Sequence, residues 1–273
     1  MTDESPPETE SATIDSRVVN RALRQIVWTA LQPLGFTRRT QRTAWRDRPD
    51  SIQVVNFQSF NSYAAEVMAT TSYSFAVNLG VFYPAIAERS AVARFIKDQS
   101  RPAEPHCHAR KILSKGIAQS DEVAPARRVD PRSSPTAGQW VDRPDVWFVV
   151  PDGSNVNAVV SDALSRILEV GIPWLERLSD LREARGHFRE VEDSWQGRGL
   201  LAEHYGGTLG SPSRLHSIGA LSAALGDEAG LDGAIDKMSI ESYYIDHPEN
   251  LELLRGAQRQ HDTPRRGANA KPR

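Results

Sequence analysis

His106, Cys107 and His108 stand side by side, the one place in the chain where a metal ligand set or a nucleophile with its base suggests itself. Neighbouring side chains seldom converge on one ion, and a zinc site needs three or four ligands, usually as spaced pairs. The chain has neither C-x-x-C nor H-E-x-x-H. The expectation is no bound metal, exposed histidines, and Cys107 packed as a small hydrophobe. As a nucleophile, Cys107 would need a reachable base and an orienting acid, and no such acid is evident.

Other chemistry-bearing patterns fall short in the same way. The glycines of Gly197-Arg-Gly199 and of 226–230 neither follow a strand nor lead into Gly-Lys-Ser/Thr, so no phosphate loop is expected. Gly153-Ser154-Asn155 lacks the second glycine of a nucleophile elbow. Asp180 with Glu183, and Glu190 with Glu192 and Asp193, have the spacing of solvated helix faces. These patterns nominate no catalytic residue and no cofactor.

A set of polar and aromatic residues is more suggestive: Arg38, Arg39, Arg42, Trp45, Asn56, Gln58, Asn78 and Trp147. Asn and Gln are uncommon in strands, where their amides compete with the backbone. Here three of them fall in two expected strands, beside the residue types enriched at binding hot spots. They could line a groove on the sheet, with Arg38 or Arg42 at its rim and Trp45 as a platform. They could equally satisfy backbone groups at edges and bulges, as buried polar groups usually do.

The elements that must position these residues are legible in part. Val18, Val19, Ala22, Leu23, Ile26, Val27, Ala30, Leu31 and Leu34 form one apolar stripe, which predicts a helix from about Asp15 with Arg17, Arg21 and Arg24 outside it. Gly35 supplies a stop. Phe36 to Arg38 and Thr43 to Arg46 read as a short hairpin, and Ile52–Phe60 and Ser72–Tyr83 as longer strands. The second alternates, with Tyr73, Phe75, Val77, Leu79 and Val81 toward a core and a small polar face opposite. A short helix is expected around Ala85–Ile96, a surface loop over Gln119–Gly138, and a last strand over Asp145–Val150. A second helical stripe, Val156 to Leu168, should end at Gly171, with Pro173 opening a helix from Trp174 to about Arg185. Beyond His187, glycines at 197–210 precede expected helices ending at Leu225, over Leu231–Ile240 and over Pro248–Gln258.

With 39% hydrophobic and 25% charged residues, the chain has enough apolar material for a core. Its net charge of −2 argues against a chain-wide basic field for nucleic acid. The charge is nevertheless uneven: eight arginines and one acid, Asp47, lie between Arg17 and Arg48, while the first sixteen residues carry only acids. One cysteine permits no intrachain disulfide and fits a reducing compartment. The acidic, proline-bearing start is unlike a signal peptide, and no apolar run has the length of a membrane span.

Several short stretches, taken in order, resemble the domain-of-unknown-function 4304 family: Leu34-Gly35-Phe36-Thr37-Arg38-Arg39 with Trp45-Arg46, Val54 to Ser59, Phe75 to Val81, Cys107 with Arg110, Asp145-Val146-Trp147-Phe148, and Ile172-Pro173-Trp174-Leu175-Glu176. The resemblance covers about 20–180. Two features depart from it, a long Gln119–Gly138 loop and Phe148 where a second tryptophan is expected. It implies a mostly antiparallel sheet flanked by helices and carries no activity.

The expected architecture is therefore α+β: a polar tail at 1–13, a main domain at 14–186, a small helical appendage at 190–260 and a tail at 261–273. The expected role is a non-enzymatic, cytoplasmic module that binds a protein through Arg38, Arg42, Trp45, Asn56, Gln58, Asn78 and Trp147, or through its arginine-rich first helix. An enzyme with its site in the same groove is the alternative. Nucleic acid is a less favoured partner, and no membrane is expected.

Overall fold

A computed structural model describes residues 16–67, 70–90, 96, 98–116, 144–197, 213–240 and 248–262. The apolar stripe forms a helix as its spacing requires. Ser16–Ala22 (α1) runs on through a π-helical stretch, Leu23–Trp28, then Thr29–Leu31 (α2) and a 3-10 turn, Gln32–Leu34. Val19, Ala22, Leu23, Val27 and Leu31 are buried along it. Gly35 stops it in the left-handed region (φ 94°), where a side chain would be strained. The N–H groups of Gly35 and Phe36 then close on Gln32 O and Leu31 O at 3.0 and 3.3 Å.

Five strands form one antiparallel sheet in chain order: Arg38–Arg39 (β1), Thr43–Asp47 (β2), Ile52–Ser59 (β3), Phe75–Phe82 (β4) and Ala109–Ile112 (β5). With its flanking helices, the fold is α+β. β5 pairs with β4 in the register Val81 with Ala109, Gly80 with Arg110, Leu79 with Lys111 and Asn78 with Ile112. Sequence patterning gave no sign of this strand: four residues, two of them basic, do not alternate as a half-buried strand does.

The chain divides into two compact units, described in turn. The first comprises Met1–Thr43, Phe57–Val77 and Leu113–Glu169. Its core is an aromatic row. Trp28 meets Phe57 edge-on at 5.4 Å, Phe57 tilts against Phe75 at 5.3 Å, and Phe75 stacks on Trp147 at 6.0 Å. Such pairings add about 1 kcal/mol each beyond burial. Asp162, on Val156–Arg166 (α5), accepts the Trp147 indole N–H at 2.8 Å and the Gly116 N–H at 3.0 Å. The strand expected over Asp145–Val150 is reduced to one bridge, between Trp147 and Phe75. Side chains take the neighbouring amides instead: Val149 N–H donates to Ser74 Oγ and Val150 N–H to Asn155 Oδ1. α3 (Ser62–Val67) also lies here.

The second unit comprises Ala44–Asn56, Asn78–Ile112 and Val170–Arg273. Trp45, Val54, Phe82, Ala87 and Cys107 form a core cluster on one side of its strands. On the other, Gln53 reaches Leu175 O on Ile172–Arg177 (α6) at 2.6 Å. β4 is therefore buried along its whole length, and its expected small polar face is covered. Gly80 shows why that face is small: a Cβ there would fall 2.5 Å from Cys107 Sγ.

Gly171 does not end a helix. It lies in the helical region (φ −69°), where a π-helical stretch, Ile167–Gly171, leads into α6. The break comes at Leu178–Asp180. Asp180 then caps Leu181–Gly197 (α7), its Oδ1 accepting the N–H groups of Arg182 at 2.8 Å and Glu183 at 3.1 Å. α7 runs unbroken through residues 186–190. Beyond it, Ser213–Leu225 (α8) packs on α7, on Pro84–Ala87 (α4), on Glu228–Ile240 (α9) and on Glu249–Asp262 (α10). Ion pairs tie α7 to this group, among them Arg185 to Asp227 and Arg214 to Glu192. Among the described residues, no helix is long and apolar enough to cross a membrane. The Gln119–Gly138 loop, the terminal tails up to Asp15 and from Thr263, and the stretch 198–212 lie outside the described residues.

Candidate binding site

The turn from β1 to β2 is short and over-determined. Thr40 N–H donates to Thr43 O at 2.7 Å, and Thr40 Oγ1 accepts the N–H groups of Arg42 and Thr43 at 3.3 and 3.0 Å. A threonine hydroxyl stands in for backbone here, as is common in tight turns. Arg42 O accepts the Phe57 N–H at 2.7 Å, which fixes the turn to β3. The first helix holds it from the other direction: Asn20 Nδ2 donates to Gln41 Oε1 at 3.0 Å and Trp28 Nε1 to Gln41 O at 3.3 Å. Arg24, exposed, lies between Asn20 and Trp28 in the chain, four residues from each.

Arg42 is the unusual residue of this turn. Burial draws the pKa of its guanidinium down to about 10, leaving it a cation at neutral pH. Among the described residues its buried Nη1 has no hydrogen-bond acceptor and no carboxylate pairs with it. Several other arginines that leave solvent do so against an acid. Arg46 and Arg48 share Glu176 at 2.9 and 2.6 Å, and Arg110 takes Glu104 at 2.7 Å. A half-buried cation on a rigid turn, unpaired among the described residues, suits a carboxylate brought from outside.

The seven residues nominated from the sequence fall in both units. Arg38, Arg42, Gln58 and Trp147 belong to the first, and Trp45, Asn56 and Asn78 to the second. Arg38 is half-buried and Gln58 exposed. Trp147 is wholly buried in the aromatic row. Trp45 is also a core residue rather than a surface platform, its indole N–H donating to Pro102 O at 2.8 Å. In the second unit, strand alternation gives Trp45, Asn56 and Asn78 the facing of Val54 and Phe82. Asn56, Gln58 and Asn78 all interact with neighbours in the fold. Asn20 and Gln41 were not nominated, and Arg24 only as one of the arginines of the first helix. The i, i+4 spacing of Asn20, Arg24 and Trp28 was the available signal, but only the folded hairpin shows what that line meets.

Three buried titratable groups of the second unit are held in their neutral forms. Burial, with Glu104 beside it, pushes the Cys107 thiol up, so the thiolate is scarce at neutral pH. Burial draws His108 down to about 3, and its Nδ1 accepts the Tyr83 N–H at 3.0 Å. The buried Tyr83 phenol, itself raised by desolvation, donates to Leu178 O at 2.8 Å. His106, Cys107 and His108 do not converge, and among the described residues no three His, Cys, Asp or Glu side chains are placed to share a metal ion.

An antiparallel sheet with flanking helices and an arginine-bearing hairpin thus defines an α+β domain with a candidate anion-receiving turn. The chain belongs to the family described as domain of unknown function (DUF4304), whose profile matches residues 27–177. The match spans the hairpin, Arg42 and α6, and starts just after Arg24. No curated protein and no solved structure matches the chain.

Proposed function

We propose that this protein is a non-enzymatic, cytoplasmic binding module that takes an acidic segment of a protein partner on the turn bearing Arg42, with Arg24 of the first helix. The observation that carries this reading is the partly desolvated guanidinium of Arg42, unpaired among the described residues, on a turn fixed by six hydrogen bonds. A preorganised cation loses little conformational entropy on binding, and a carboxylate fork matches its geometry. The inert state of Cys107 and His108 supports binding rather than chemistry. The lone cysteine, buried, suits a reducing compartment.

The test compares a hexaglutamate peptide with a single-stranded oligonucleotide of equal charge, on the full chain and on Arg24→Gln/Arg42→Gln. The proposal expects the peptide to bind more tightly and the double substitution to weaken it about tenfold, the value of one charge-assisted hydrogen bond. Preference for the oligonucleotide would assign the turn to nucleic acid. Equal peptide binding by both chains would remove Arg24 and Arg42 from the site.

A further inference from the structure

We infer that the turn from β2 to β3 holds a second receptor for a carboxylate, formed by Arg48 Nε and Ser51 Oγ. Its parts all lie in the second unit, and it stands whether or not Arg42 takes an acid. Strand alternation brings them to one face. Trp45 turns into the cluster with Val54, so Arg46 turns the other way, toward Gln53 and α6. Pro49 biases Arg48 to extended backbone, which gives it the facing of Arg46, and both reach Glu176. Ser51 stands two residues before Gln53 and shares its facing. The Arg48 N–H donates to Ser51 O at 2.8 Å and closes the turn.

Glu176 leaves this face one negative charge short. A single oxygen, Oε1, accepts from Arg46 Nη1 at 2.9 Å and from Arg48 Nη2 at 2.6 Å. Burial, and then the charge of Arg48, draw the Arg46 guanidinium below its ordinary range against the opposing pull of Glu176. The hydrogen bonds show the same shortfall. The Nε and Nη2 edge of an arginine is the fork that grips both oxygens of a carboxylate. Arg110 uses it in full on Glu104, Nε to Oε1 at 2.7 Å and Nη2 to Oε2 at 3.2 Å. Arg48 uses half of it: among the described residues its buried Nε has no acceptor. Ser51 is only 1% exposed, and its hydroxyl has no partner among them either. Gln53, on the same face, is by contrast fully engaged, with Arg46, Leu175 O and Ser179. Buried polar atoms are costly to leave unbonded. An incoming carboxylate accepts from Arg48 Nε and from the Ser51 hydroxyl, and it sets two anions against two cations. A phosphate dianion would carry one charge too many beside Glu176. Arg48 and Glu176 remain 32% and 46% exposed, so the site opens to the surface at those side chains.

The test uses the full chain carrying Arg42→Gln, so that a carboxylate held at that turn contributes nothing. Two probes separate the sources of a carboxylate: acetyl-trialanine with a free C-terminus, and acetyl-Ala-Glu-Ala amide, whose one acid is a side chain. Inorganic phosphate is the comparison. Affinity is read at fixed ionic strength from the Ile52 backbone amide resonance, and contact from the Arg48 Nε–H resonance. At least one peptide should bind with a Kd of about 1 mM and shift both signals. Ser51→Ala should weaken that binding about fivefold, and Arg48→Lys, which keeps the charge but not the fork, about tenfold. Ser51→Ala should leave the melting temperature unchanged. A marked fall in melting temperature would assign the hydroxyl to the fold and overturn the inference. So would phosphate binding more tightly than both peptides, or peptide affinities that neither substitution alters. None of these results touches Arg42, and loss of hexaglutamate binding there would leave this site standing.

Discussion

Arg42 and Arg46 stand four residues apart and meet opposite electrostatic settings. Arg46 is buried with Glu176 and Gln53 as partners, whereas Arg42 has lost solvent and has no acid beside it among the described residues. Removing the two charges should therefore have opposite consequences. Arg46→Met leaves Gln53 without its donor and should cost about 2 kcal/mol in denaturant unfolding, less than a fully buried pair because Glu176 remains half-exposed. Arg42→Met removes a desolvation penalty and should leave stability unchanged or raise it by about 1 kcal/mol. A large loss at Arg42 would mean that the fold, not a partner, uses its charge. Trp45→Ala belongs with Arg46: it empties a core site and should cost about 3–5 kcal/mol.

His108 makes a prediction about acid. Its unfolded value is near 6.5 and its folded value about 3, so between those limits the unfolded chain binds the extra proton. Stability from this residue is fully present above about pH 6.5 and is lost as the pH falls through the window toward 3. Its share of the loss by pH 5 is about 2 kcal/mol. His216, also lowered by burial, acts in the same direction. The unfolding free energy of His108→Gln, measured between pH 7.5 and 5, should fall less steeply than that of the unaltered chain. Parallel profiles would mean that His108 titrates normally.

At the scale of elements, α7 raises the sharpest question. The glycines at 197–210 mark the place where a polypeptide commonly divides, and by that argument a chain ending near Ser194 keeps its cooperative unfolding. Arg185 to Asp227, Arg214 to Glu192, and the packing of α8 on α4 set the opposite expectation. The shortened chain would expose Ile86 and Ala87 and strand Arg185 and Glu192. It should melt at a markedly lower temperature or without cooperativity. A sharp, unshifted melt would establish a boundary near 190 after all.

The first helix, β2, β3, β4 and their facings were readable because one period dominates each: 3.6 along Val19 to Leu31, and 2 along Phe75 to Val81. β5 was not, because Arg110 and Lys111 give no apolar alternation. Gly171 misled because a π-helical stretch absorbs the glycine and Pro173 that ordinarily punctuate. The candidate site was legible as composition only. Arg42 carried no mark in the sequence distinguishing it from Arg46; the difference is whether an acid from α6 arrives beside it, which is a tertiary event.

For the whole molecule, a net charge of −2 conceals an arginine-dense stretch at 17–48 and an acidic one before it. Exposed charges are screened within about 8 Å at physiological salt, so the capture of an acidic partner should weaken as salt rises. The central claim, that Arg42 grips a carboxylate, is tested most directly by a double-mutant cycle at one fixed ionic strength. Arg42→Gln is paired with replacement of single glutamates by glutamine along hexaglutamate. The account requires at least one peptide position to couple to Arg42 by about 1 kcal/mol or more, with the others near zero. Coupling that is uniformly zero, with both single changes additive, would show that no carboxylate touches Arg42.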